Sequence, residues 1–334
     1  MAVPTEIDLN AFAPSAERVL FLDQRMRARL ADSLRYILAQ GAGVLDLPAD
    51  KIQQFLRELE DRPVSPLAFS YYNDAVLAIE EDDIESASRQ LTALTTLPLR
   101  VSGLEITDLA DPKSDATAAR YARFLNDDPT ISFEIFAPTK EASAKCRAQI
   151  RDAFALLDAG DPELAGEIRA LLREIVLAAG TTDPKAYTFD GASSFMLWGA
   201  IILNVNRSDG PLGMAQMLAH ESAHNLLFGF SADAALVENS PDELFSSPLR
   251  KDPRPMDGIY HATFVTARMY RVVNELLKSG ILDAATTAKA QADLADNARL
   301  FRHGISTVEK YGKLSALGES VMRGASDYMA ANAV

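Results

Sequence analysis

Residues 214–228 read MAQMLAHESAHNLLF, and inside them stand His220, Glu221, Ser222, Ala223 and His224, an HExxH motif. In a helix, positions i and i+4 share one face, so the two imidazoles converge. Two neutral ring nitrogens at one point are what a single divalent metal needs from a helix. Glu221 lies one residue on and projects beside that point. Leu218, Leu226, Leu227 and Phe228 are apolar, which predicts a helix lying in a core. The chain has four histidines in 334 residues, and two of them fall in this motif.

The residues just before the motif predict a sheet. Residues 195–205, FMLWGAIILNV, form a nearly continuous apolar run too short for a bilayer and read as a central strand. Core packing is the simpler reading of Trp198. Residues 186–189 make a second, short strand. Ile131-Ser132-Phe133-Glu134-Ile135-Phe136 alternates apolar and polar and makes a third. Helices are expected at 139–158 and 161–179, the second closed by Gly180. A small sheet leading the chain into a metal-binding helix is a zincin-like layout, in which a sheet edge can take an extended peptide.

Beyond the motif, residues 229–257 show little periodicity and carry Pro241, Pro248, Pro253 and Pro255. A loop of that length in a compact domain is usually functional. Helices are expected at 258–277, 282–302 and 305–330. Towards the start of the chain, helices are expected at 15–40 and about 50–60. A pair over 67–97 turns at the acidic run 80–83, read as solvated, and another helix covers 115–125. Residues 101–109 are ambiguous. The expected fold is α+β and mostly helical, with an N-terminal helical region at 1–130 and a metal-binding catalytic region at 131–334.

Composition narrows the partners. A net charge of −14 argues against nucleic acid, whose phosphates call for a basic patch, and against an anionic membrane surface. It leaves room for a basic or neutral peptide. The single cysteine, Cys146, permits no disulfide within the chain, which fits a reducing cytoplasm, and it is read as structural. The first ten residues show no secretory signal, and no run of apolar residues spans a bilayer.

Two histidines do not complete a catalytic metal site, so a third protein ligand is expected. His261 follows the proline-rich loop. Glu238 follows His224 at a spacing a carboxylate ligand can have, and Asp257 immediately precedes the His261 helix. His261 is taken as that third ligand, with Glu238 and Asp257 as alternatives, and His303 is read as structural.

The residues from His220 to Phe228, the loop Ser247-Pro248-Leu249-Arg250-Lys251-Asp252-Pro253-Arg254-Pro255-Met256-Asp257-Gly258, and the following Ile259-Tyr260-His261-Ala262 together resemble the HExxH-motif peptide-modification family. The resemblance covers roughly residues 195–268, and the N-terminal helices carry no matching motif. It implies a 2-oxoglutarate-dependent peptide β-hydroxylase acting on a ribosomally made precursor peptide. Fe(II) would take the place of zinc, with 2-oxoglutarate and O₂ in the open positions. Imidazole suits either metal. Non-haem oxygenases usually use two His and one carboxylate, so a three-His site would depart from that pattern and Glu238 and Asp257 stay open. Glu221 would then orient a ligand or water.

A dicarboxylate cosubstrate needs a cation for its far carboxylate, and arginine suits planar, bidentate recognition. Arg268 lies seven residues past His261, two turns along the same face. Arg254 and Arg250 sit on the proline-rich loop. Asn225 and Tyr260 are candidates to line the substrate pocket. Two rivals remain. One is a zinc metallopeptidase with Glu221 as general base on metal-bound water. The other is a binding module whose motif only stabilises the fold.

Overall fold

The computed structural model describes residues 12–45, 47–97, 103–125, 133–182, 188–207, 210–249 and 252–332. Among the described residues, eleven α-helices and seven short strands make the fold α+β and mostly helical, as expected. The chain divides into two compact units, each assembled from separate stretches.

One unit comprises Leu20–Ser143 and Leu171–Asn206. It holds most of α1 (Ala16–Gln40), then α2 (Ala49–Asp61), α3 (Leu67–Glu80), α4 (Ile84–Leu94), β1 (Glu105–Asp108), α5 (Ala116–Leu125), β2 (Ile135–Phe136) and the start of α6 (Lys140–Gly160). α7 (Pro162–Leu171) ends at its border, and β3 (Glu174–Gly180), β4 (Gly191–Ala192) and β5 (Ala200–Asn204) complete it. Ile52, Phe55, Leu56 and Leu59 follow helical spacing on α2, and all are buried. Arg27 of α1 donates to the Leu59 and Glu60 carbonyls, supplying partners to the open C-terminal end of α2. The acidic run at 80–83 is the turn expected of it. Asp83 accepts from the Ser86 amide and so caps α4.

The sheet is mixed, in the order β1-β3-β5-β4, with β2 paired antiparallel to β3. β1 and β5 flank β3 in parallel register, Val176 facing Ile202. Val176, Ala178, Ala200 and Ile202 point to one face with the period of two and pack against Leu109, Tyr121 and Phe124. At the end of β5, the Asn204 side chain accepts from the Gly180 amide and donates to the Phe189 carbonyl.

Several expectations for this unit are corrected. The helix expected at 161–179 stops at Leu171, and its second half is β3, the strand at the middle of the sheet. A strand buried on both faces reads as a continuous apolar run, which periodicity cannot separate from a buried helix. The strand expected at 195–205 begins only at Ala200, after a 3₁₀ turn over Phe195–Leu197. Gly199 breaks it at φ +84°, and its carbonyl accepts from the Arg173 amide, fixing where β3 begins. The ambiguous 101–109 stretch contains β1. Of the other two expected strands, residues 131, 132, 186 and 187 lie outside the described residues. Within 131–136 the paired residues are Ile135–Phe136; Thr188 and Phe189 are not in a strand, and the short strand of that region, β4, forms at Gly191–Ala192 instead. Trp198 is core, 1% exposed, and donates to Asp23.

The other unit comprises Met1–Val19, Ala144–Ala170 and Arg207–Val334. It holds α8 (Gly210–Phe230), β6 (Leu244–Phe245), β7 (Arg254–Pro255), α9 (Met256–Ser279), α10 (Ala284–Tyr311) and α11 (Ala316–Ala331), with most of α6 and α7. The proline-rich stretch 229–257 is thus not wholly irregular, because β6 and β7 pair antiparallel within it. The helix break expected at 303–304 is absent, since α10 runs unbroken to Tyr311. Gly304 is small for packing: a Cβ there would stand 2.2 Å from Oγ1 of Thr263 on α9. The real break falls at Gly312, and Ser315 caps α11. Among the described residues, no helix is long and apolar enough to cross a membrane.

Candidate metal centre

α8 is buried nearly all round, from Leu212 to Phe230, as its apolar sequence requires. It presents His220 and His224 to α9, the longest buried helix of its unit, and all the residues of the centre belong to that unit. The Nε2 atoms of His220 and His224 are 3.3 Å apart. Two nitrogens each about 2.0–2.1 Å from one tetrahedral ion stand about 3.3 Å apart, so this pair fits a shared metal. The Glu221 Oε1 atom lies 3.9 Å from His220 Nε2, and the residue is 3% exposed.

His261 of α9 reaches the cluster. Its Nδ1 is 3.0 Å from Nδ1 of His224, the rings nearly parallel, and the Phe228 ring also lies close to it, centroids 5.5 Å apart. His220 meets α9 too, its Nδ1 standing 3.3 Å from Sδ of Met269. Burial, then the neighbouring His220 and His261, holds His224 well below the usual imidazole pKa. Burial also lowers His261, with the Asp257 carboxylate pulling the other way. Neutral imidazoles are the form that binds metal. Among the described residues, no three His, Cys, Asp or Glu side chains are placed to share one ion. His261 explains why: it meets His224 on the ring edge away from His220.

Seven residues past His261, Arg268 is 1% exposed. Its Nη1 donates to Glu167 Oε1 at 2.9 Å, while Nε and Nη2 have no hydrogen-bond partner among the described residues. Phe12 and Phe264 cover the guanidinium. The other Glu167 oxygen accepts from Arg18 and from the Ser15 amide. Two buried guanidiniums thus share one carboxylate. Burial pushes Arg268 down to about 10, with Glu167 opposing that shift.

The remaining candidates are placed as follows. Asn225 is fully buried on α8, its amide 3.4 Å from the Glu221 carbonyl. Tyr260 is fully buried and its hydroxyl donates to the Gly318 carbonyl, at the start of α11. Arg254 is on β7, 3.9 Å from Asp252, and Arg250 lies outside the described residues. Glu238 is exposed, its amide bonded to the Lys313 carbonyl, and Asp257 is exposed in the first turn of α9. His303 meets Ser246, and Cys146 is buried. Sequence reading missed Met269 and Glu167. Met269 adjoins Arg268, but a thioether in an apolar helix carries no signal of its own. Glu167 is one acid among many on short amphipathic helices.

No protein-family model matches the chain, and no curated protein matches it.

Proposed function

We propose that this chain is an Fe(II)- and 2-oxoglutarate-dependent oxygenase that hydroxylates a side-chain β-carbon in a ribosomally made precursor peptide. The observation that carries the metal is the His220–His224 pair, with Nε2 atoms 3.3 Å apart on a buried helix. The zincin-like reading of this portion rests on that helix. For the cosubstrate, the support is Arg268, two of whose donors have no partner among the described residues in a dry setting. Buried donors without partners are costly, and a carboxylate satisfies them. The resemblance of residues 195–268 to peptide-modifying proteins supports the choice of substrate.

In this reading His220 and His224 hold the metal through Nε2. Arg268 would receive the far carboxylate of the keto acid. Arg254, already beside Asp252, is the weaker anchor. When bound, iron supplies the oxidising chemistry that converts O₂ and 2-oxoglutarate into succinate, CO₂ and one hydroxyl on the peptide. Glu221 holds a water or ligand beside the metal. The single buried Cys146 suits work in a reducing cytoplasm.

A second reading is favoured by one distance. Glu221 Oε1 lies 3.9 Å from His220 Nε2, where the general base of a zinc metallopeptidase would act on water. The two separate in one experiment. Apoprotein is loaded anaerobically with Fe(II), 2-oxoglutarate is added, and the visible spectrum is recorded. A weak charge-transfer band that is lost in His220→Ala is the expected outcome. No band, together with tight zinc binding and activity abolished by Glu221→Gln, would replace the oxygenase with the peptidase.

A further inference from the structure

Each histidine of the motif has two ring nitrogens, and α9 engages the same one of both. His220 turns Nδ1 to Met269 Sδ at 3.3 Å, and His224 turns Nδ1 to His261 Nδ1 at 3.0 Å. The two Nε2 atoms are left facing each other. The pairing runs in opposite senses along the helices, 220 with 269 and 224 with 261, so α9 lies antiparallel against the motif. A metal-binding imidazole ordinarily donates its other N–H to an acceptor, which fixes its tautomer and aim. An α9 residue holds that position for both histidines.

We infer that His261 and Met269 are positioning residues of the metal centre, and that His261 acts through His224 rather than as a third ligand. This rests on the metal reading above. His224 Nδ1–H donates to the His261 Nδ1 lone pair, so His261 carries its own proton on Nε2. His220 Nδ1–H points at the Met269 thioether, a weak acceptor. Both tautomers then leave Nε2 unprotonated towards the ion. His261 cannot share an ion held between those Nε2 atoms while it stands on the opposite edge of the His224 ring. The same placement explains why no three ligating side chains among the described residues converge. The unequal acceptors imply that His224 is the more firmly held of the pair.

X-ray absorption on the metal-loaded full chain counts imidazole ligands directly, and chelator competition gives affinity. Two imidazoles are expected in the wild type. His261→Ala should keep one equivalent of metal with two imidazoles, its affinity falling about 10- to 100-fold. His261→Asn, whose side-chain carbonyl can accept from His224 Nδ1–H, should recover most of that loss. Met269→Leu should weaken binding less. Three imidazoles in the wild type, falling to two in His261→Ala, would overturn the inference and make His261 a ligand. Equal losses in His261→Asn and His261→Ala would overturn the hydrogen-bonding role. A wild-type chain that takes up no stoichiometric metal fails differently, because it removes the metal centre itself. The wild-type count stands even where a variant does not fold.

Discussion

Arg268 keeps Nε and Nη2 without a partner among the described residues although only 1% of the residue is exposed, and Glu167 answers two guanidiniums at once. Two cations on one buried carboxylate leave an excess positive charge, and a low-dielectric setting makes such an excess expensive. A dicarboxylate bringing its far end there would balance the charge and satisfy both donors. Removing the guanidinium should therefore strike cosubstrate affinity and spare the metal. Charge-assisted hydrogen bonds contribute about 1.5–3 kcal/mol. Arg268→Leu should accordingly raise the 2-oxoglutarate Kd by about 10- to 150-fold, read by titrating the charge-transfer band, with iron stoichiometry unchanged. A Kd equal to the wild-type value would show that the far carboxylate sits elsewhere, and Arg254 would be the next variant to make. The sequence pointed to Arg268 through its spacing from His261 alone. Glu167, 101 residues away along the chain, had no local pattern to betray it.

Among the elements, α8 was legible because its chemistry and its periodicity coincide: an i,i+4 histidine pair inside an apolar helix. β3 was not, since Ile175, Val176, Leu177, Ala178 and Ala179 form an apolar run that suits a buried helix and a buried parallel strand alike. What decides between them is the Gly199 carbonyl holding the start of β3 and the two strands beside it, contacts that exist only in three dimensions. Gly304 misled in the opposite sense. Glycine in a helical pattern suggests a break, yet here it lets α10 approach α9 over Thr263. Gly304→Ala tests this. Helix propensity alone would make the change stabilising by up to about 1 kcal/mol. A Cβ 2.2 Å from Thr263 Oγ1 should instead force the helices apart and destabilise by about 1–3 kcal/mol in urea unfolding. Adding Thr263→Ala should restore part of the loss, because the two sites are in contact and their effects are not additive. A stabilised single variant would mean that α9 and α10 are less tightly opposed than described.

For the molecule as a whole, charge and composition excluded classes of partner without indicating a site, and the two-unit division was not visible along the chain. Contiguous stretches suggested a boundary near residue 130, whereas each compact unit gathers segments from distant parts of the sequence. Such assembly depends on long-range contacts that local patterns do not encode. Its consequence for the metal is specific. His220, His224, His261 and Met269 all belong to the unit that contains α8 and α9, so under the proposed metal reading the binding free energy would enter the protein there. A ligand that binds only the folded state stabilises it by about 2.7 kcal/mol at a hundredfold excess over Kd. Amide hydrogen exchange followed with and without Fe(II) under anaerobic conditions should show where that stabilisation goes. Amides of Gly210–Phe230 and Met256–Ser279 are expected to exchange more slowly on metal addition, and His224→Ala should abolish the difference. Slowing in those two helices that persists in His224→Ala would place the ion elsewhere. No slowing in either helix, at a metal concentration that raises the melting temperature, would leave the histidine cluster as a packing feature of the α8–α9 seam and remove the ground for an oxygenase.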